Sequence, residues 1–222
     1  ACFGSRALFM SPYLEGWDSI GFALGLHDYD LSAHQPHFPG YPVYLLLAKL
    51  CRLVTASDAS ALTLCGVVAS AAAVWPLYAL AARLCGPAVA LVAGALYVCN
   101  PLLWLEADKP YSDATGLLFI LLAANWLHSG LTTDRRGALF LAGFALGIGL
   151  GARPANFPVV VSFVALLVWP VKAARARLAP ALGGLAVGGA VWAIPLVLMT
   201  GWPDLWAAAH QHLTGHFTEW GG

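Results

Sequence analysis

Six runs without a single Asp, Glu, Lys or Arg dominate the chain: Ala59–Ala82, Leu84–Leu105, Ala114–Thr133, Gly137–Ala152, Pro154–Val171 and Leu178–Pro203. A bilayer core is crossed by roughly 20 apolar residues of helix. Charged residues make up only 10% of the 222 positions and hydrophobic residues 60%, against about 25% charged in soluble domains. These features define an integral membrane protein of the all-α class, a polytopic helix bundle of about six spans. A seventh apolar stretch, Tyr41–Val54, carries Lys49 and Arg52. At ~1.5 Å per residue it reaches only ~21 Å, so it is expected to lie at the interface, its two cations among lipid headgroups.

Three parts follow. Residues 1–58 form an extracytoplasmic loop with a juxtamembrane helix, residues 59–200 the transmembrane bundle, and residues 201–222 an extracytoplasmic, tryptophan-rich interfacial segment. The first residue is Ala1 and no secretory signal follows it, so truncation at both ends is expected. A net charge of zero, with no basic patch among aromatics, excludes nucleic acid as a partner. Five cysteines without a CxxC pair are expected to be small apolar fillers. Gly143, Gly147 and Gly151 recur every four residues, as do Gly184 and Gly188, the spacing of helices that approach closely in lipid. The GxGxxA-like string at Gly147–Ala152 lies inside an apolar run with no strand before it, which rules out a dinucleotide site.

Orientation follows from the bases in short loops, which concentrate on the cytoplasmic side. If Tyr41–Val54 does not cross, one side receives six of the eleven bases and a single acid, Asp134. The other receives ten of the eleven acids and six of the seven histidines. The second side is outside, and the polar chemistry lies there. In the first outer loop, Asp18 sits between Trp17 and an apolar patch, a setting that desolvates a carboxylate as a general base requires. Pro36, Pro39, Gly40 and Pro42 stiffen the turn that follows. His34 and His37 can meet phosphate, the acceptor or a divalent metal. Two histidines three apart without fixed further ligands do not make a metal site, so no metal and no other cofactor is expected.

An early loop Asp, the run His37-Phe-Pro-Gly-Tyr41-Pro, an interfacial helix, two spans and the acidic turn Glu106-Ala-Asp108-Lys109-Pro-Tyr-Ser-Asp113 resemble the C-superfamily of membrane glycosyltransferases. The likeness is greatest to bacterial relatives of the protein O-mannosyltransferases and of the lipid A aminoarabinose transferase. It implies inverting transfer of a hexosyl or pentosyl group from a polyprenyl-phosphate carrier to an acceptor on the outer face of a bacterial inner membrane, with membrane lipids around it. By the same likeness Asp18 is the catalytic residue, and an acid of the second turn belongs to the site. Ser19 stands where the family commonly has a second acid.

Elementary chemistry points the same way. Attack at an anomeric carbon needs a base for the acceptor hydroxyl and cations for the departing phosphate. Arg153 ends a 16-residue run that spans only ~24 Å, so its guanidinium lies near the bilayer edge, where a lipid phosphate is a natural partner. The expected substrate-binding set is therefore His34, His37, Tyr41, Asp108, Lys109, Asp113 and Arg153, with Lys109 paired locally to Asp108 or Asp113. Asp113 also suits the start of the next helix. A transporter or flippase of lipid-linked sugars, its gate built from the same outer acids, is the alternative.

Overall fold

The computed structural model describes residues 1–168 and 172–215. Within them the chain forms eleven α-helices, one short 3-10 turn at Pro154–Asn156 and no strand. Three helices occupy the first segment: α1 (Cys2–Ala7), α2 (Trp17–Gly25) and α3 (Pro42–Arg52). The bundle follows as α4 (Asp58–Cys85), α5 (Pro87–Cys99), α6 (Pro101–Ala107), α7 (Asp113–Thr133), α8 (Arg136–Ala152), α9 (Phe157–Val168) and α10 (Lys172–Thr200), and α11 (Trp202–Thr214) comes last.

Local chemistry sets the boundaries. Proline opens α3, α5 and α6, where its missing N–H is no loss and its φ is already helical. Ser57 caps α4 by accepting from the Ser60 N–H at 3.2 Å, and Asn100 caps α6 through the Leu103 N–H at 3.0 Å. Gly86, at φ 88°, ends α4 in the left-handed region.

The expected six spans are corrected to fewer. Among the described residues three helices are long and apolar enough to cross a membrane: α4, α7 and the Ala179–Thr200 part of α10. A fourth exists if α5 and α6, bent by 57° at their junction, count as one broken span. Counting charge-free residues does not register a helix break. Pro101 interrupts the run Leu84–Leu105, α8 is apolar but only 17 residues long, and Pro154–Val171 yields a 12-residue helix up to Val168. The last three residues of that run and the tail, at 169–171 and 216–222, lie outside the described residues.

α3 is too short to span and is amphipathic. It buries Tyr44, Leu45 and Ala48 in a cluster with Phe22, Leu26, Leu62 and Cys65, while Leu46, Lys49 and Leu50 face outward. Arg52 is also anchored within the chain: its Nε donates to Asp58 at 2.9 Å and its Nη1 to the Thr55 carbonyl at 2.7 Å.

The tightest seam in the bundle joins α8 to α10, through the two glycine series. A Cβ at Gly147 would stand 2.5 Å from the Leu185 carbonyl, and one at Gly188 would press on the Phe144 carbonyl. Trp192 ties the seam by donating from Nε1 to the Gly147 carbonyl at 2.8 Å. All five cysteines are free thiols.

Candidate active site

Asp18 stands in the first turn of α2, its side chain 60% exposed. The next residue, Ser19, is fully buried. Its Oγ donates to the Gly16 carbonyl at 2.7 Å and accepts from the Gly16 N–H at 3.1 Å. This position therefore caps the helix and faces inward. Further along α2, Gly21 and Gly25 leave room for the following loop: a Cβ at either would stand 3.0 Å from the His34 carbonyl or the Pro36 ring.

That loop is held at several points. Asp30 and Gln35 exchange backbone hydrogen bonds of 2.8 Å. The Asp30 carboxylate accepts from the Ser32 N–H and hydroxyl at 2.8 and 2.6 Å, bonds that lower its pKa. Tyr29 donates its hydroxyl to the Gly40 carbonyl at 3.0 Å. The Gln35–Pro36 and Phe38–Pro39 peptides are cis, and Gly40 and Tyr41 both have positive φ, 99° and 47°. The outcome is that His37 sits over the start of α2, Nδ1 3.7 Å from Asp18 Oδ1 and Nε2 3.1 Å from the Tyr41 hydroxyl.

The second half of the site comes from residues 106–156. Gly66 on α4 lets the acidic turn approach, since a Cβ there would lie 2.9 Å from the Ala107 carbonyl. Asp113 is the first residue of α7. Arg153 follows α8 in extended conformation, as a residue before proline must. Its Nη2 lies 2.7 Å from Asp113 Oδ1, its Nη1 2.8 Å from Oδ2 and 3.3 Å from the Ser112 hydroxyl. A lipid phosphate is one natural partner for this guanidinium; Asp113 supplies an anion within the chain, in the two-pronged geometry guanidinium favours.

Two further expectations change. Lys109 does not pair with Asp108 or Asp113, because the turn directs it to Glu15 and Glu106, each 4.0 Å away. Asp108 does not line the site. Its carbonyl accepts from the Ser11 N–H at 3.0 Å, which draws it inward, and neither carboxylate oxygen has a hydrogen-bond partner. Burial raises its pKa to about 6, and the nearby Arg6 opposes only part of that shift.

Two cavities meet at Asp18. One of about 220 Å³ is lined by Asp18, Phe22, Tyr41, Glu106, Tyr111, Ser112, Asp113 and Arg153. The other, of about 850 Å³, is lined by Trp17, Asp18, Ile20, Gly21, Leu24, Ala33, His34, His37, Tyr41 and His212. The smaller one is acid-rich: burial, then the charges of Asp18, Glu15, Glu106 and Asp113, raise the Tyr111 pKa. Asp18 and Glu106 thus share one end of the bundle. Sequence inspection misses Tyr111 and Ser112, which look like turn residues, and His212. The gathering of six histidines on one side was the only available sign of His212. Among the described residues no group of three or more His, Cys, Asp or Glu is placed to hold a metal ion.

The helical bundle thus opens a cavity of carboxylates and a guanidinium at one end. Residues 34–199 match the profile of the dolichyl-phosphate-mannose-protein mannosyltransferase family, and the chain belongs to that family. It is accordingly a glycosyltransferase of the C-superfamily kind that draws its sugar from a polyprenyl phosphate. The match includes the His34–Tyr41 loop, the acidic turn and Arg153 and begins after Asp18. No curated protein and no solved structure matches the chain significantly.

Proposed function

We propose that the protein transfers a hexosyl or pentosyl group, with inversion, from a polyprenyl-phosphate carrier to an acceptor hydroxyl on the extracytoplasmic face of a bacterial inner membrane. One observation carries this: Asp18 and Arg153, 135 positions apart in the chain, line the same cavity of about 220 Å³. Asp18 accepts the acceptor's proton as its oxygen bonds to the anomeric carbon, and the bond from that carbon to the phosphate oxygen breaks. Arg153, oriented by Asp113 and Ser112, directs its remaining N–H groups at the departing phosphate, and Lys109 can swing in from its two long contacts. Tyr41 and Glu106 shape the sugar's place, and His34 with Trp17 borders the larger, acceptor side. The bundle's charge distribution supports the outer assignment. Arg83 lies at the far end of α4 and Arg135 and Arg136 at the far end of α7, opposite the cavity, as cytoplasmic bases should be. The protein is read as needing no cofactor.

The test is transfer from synthetic polyprenyl-phosphate sugars by the intact protein in proteoliposomes. Product of inverted anomeric configuration is expected. Asp18→Asn should bind donor normally and lose about 10²- to 10⁴-fold in turnover, the usual contribution of a general base. Retained configuration, or full turnover by Asp18→Asn, would overturn the mechanism; accumulation of unreacted donor in the opposite leaflet would favour a flippase.

A further inference from the structure

Asp18 has a difficulty as a base. It projects from the start of a surface helix with 60% of its side chain exposed, and solvent alone would leave its torsions free. Reaction rates are sensitive to such freedom, a misplacement of 1 Å costing on the order of 10²-fold. Something must aim the carboxylate, and the fold supplies a group that the proposed chemistry has not used.

We propose that His37 is the positioning residue of the Asp18 base, an imidazole held by Tyr41 and His212 so that its Nδ1 fixes Asp18 Oδ1 and leaves Oδ2 for the acceptor's proton. This rests on Asp18 being the base. The ring is only 19% exposed. Tyr41 meets it edge-on at 4.9 Å between centroids, and His212 from α11 stacks on it at 6.1 Å with planes 19° apart. Phe22, on the same helix as Asp18, packs within 5.7 Å. The ring is thus confined by α2, the residue that caps α3, and α11 at once.

The Tyr41 contact accommodates the tautomer this role needs. Burial, with the charge of Asp18 adding, raises the Tyr41 pKa to about 12, so at neutral pH the phenol has a proton to offer Nε2 across 3.1 Å. In that tautomer Nδ1 carries the ring's hydrogen, directed at Asp18. The 3.7 Å separation is longer than a hydrogen bond, as catalytic contacts often are before substrate is bound. In the reaction the proton passes from the acceptor hydroxyl to Oδ2 of Asp18, and His37 neither gains nor loses one. Among the groups facing the ring are Asp18 from α2, Tyr41 from the turn that caps α3, His212 from α11 and, across the larger cavity, His34 from its own loop. A second proton on His37 would reverse the Tyr41 hydrogen bond, Nε2–H now donating to the phenol oxygen, and set a full cation against Asp18, weakening the base.

Substitution at 37 in the intact protein tests this. His37→Ala should lower kcat about 10- to 100-fold with the KM values for donor and acceptor nearly unchanged. His37→Asn, whose amide can donate from close to the position of Nδ1 but cannot act as a base, should recover most of the loss. Its acid limb in the profile of kcat against pH should move to lower pH. In an Asp18→Asn background His37→Ala should cost nothing more, because the two act as one unit. Equal impairment of the Ala and Asn variants would make His37 a proton acceptor and overturn the proposal, as would a loss confined to KM, additive losses in the double variant, or an unaffected His37→Ala. Full turnover by Asp18→Asn alone would overturn it through the base assignment, a result read without touching His37. Equal melting temperatures and equal donor binding across the set separate these outcomes from misfolding.

Discussion

Asp113 grips Arg153 through both carboxylate oxygens, at 2.7 and 2.8 Å, across 40 residues of chain. The contact joins the first residue of α7 to the residue that ends α8, and it fixes the one guanidinium in the smaller cavity. An arginine so held is pre-aimed at whatever anion enters, and part of its charge is already balanced.

Asp113→Asn should therefore act through Arg153. The amide keeps the volume but loses one acceptor and the charge, and transfer should fall on the order of 10- to 100-fold. Arg153→Lys should retain charge yet recover little, because a lysine cannot make the paired bonds. The double variant should be no worse than the more damaged single one, and a cycle of kcat/KM values reads the coupling.

Gly116→Ala gives an independent approach to the same contact. A Cβ there would lie 2.7 Å from Arg153 Cβ and 2.8 Å from its Cδ, atoms too close to the backbone to swing aside. The substitution adds one methyl group and removes no charge, yet it should raise the donor KM by shifting the guanidinium off Asp113. Isothermal titration with a polyprenyl phosphate would show the weaker binding directly.

Asp108 should leave a mark on stability against pH. Its folded pKa, about 6, lies above the unfolded value of about 3.9. The folded state therefore holds the proton more tightly, and its contribution is full below the unfolded value and lost as pH rises through about 6. Melting of the intact protein in detergent should show this downward component between roughly pH 4 and pH 6, and Asp108→Asn should abolish it.

Gly147→Val should be among the most disruptive substitutions in the bundle. The added side chain meets the Leu185 carbonyl and the Gly189 backbone, neither of which can yield without parting the helices. A loss of about 1–3 kcal/mol or more is expected from overpacking, measurable by thermal or denaturant unfolding.

Much of this arrangement was legible before any coordinates. Charge-free runs identified α4 and α7 because a span excludes charge along its whole length. The glycine series announced the α8–α10 seam because only small residues admit backbone so close. The break at Asn100–Pro101 was written in the residues too, but a count of charges passes over it. What stayed hidden depends on distant chain. Asp108 and Lys109 are neighbours with opposite fates, the first drawn inward by the Ser11 N–H and the second turned toward Glu15 and Glu106. His212 arrives from the far end of the sequence, and nothing near position 212 records what it will stack against. Chemistry identified candidate groups; packing decided which could face one another.

The α8–α10 seam also acts as a ruler. Arg153 directly follows the last turn of α8, and the height of that turn is set by which glycine meets which carbonyl. Slippage by one helical turn would shift the arginine by about 5.4 Å, farther than its pair with Asp113 could follow. Gly143, Gly147, Gly184 and Gly188 touch neither cavity, yet they set the height of the cation along the bundle, and with it the level at which a bound anion would be met.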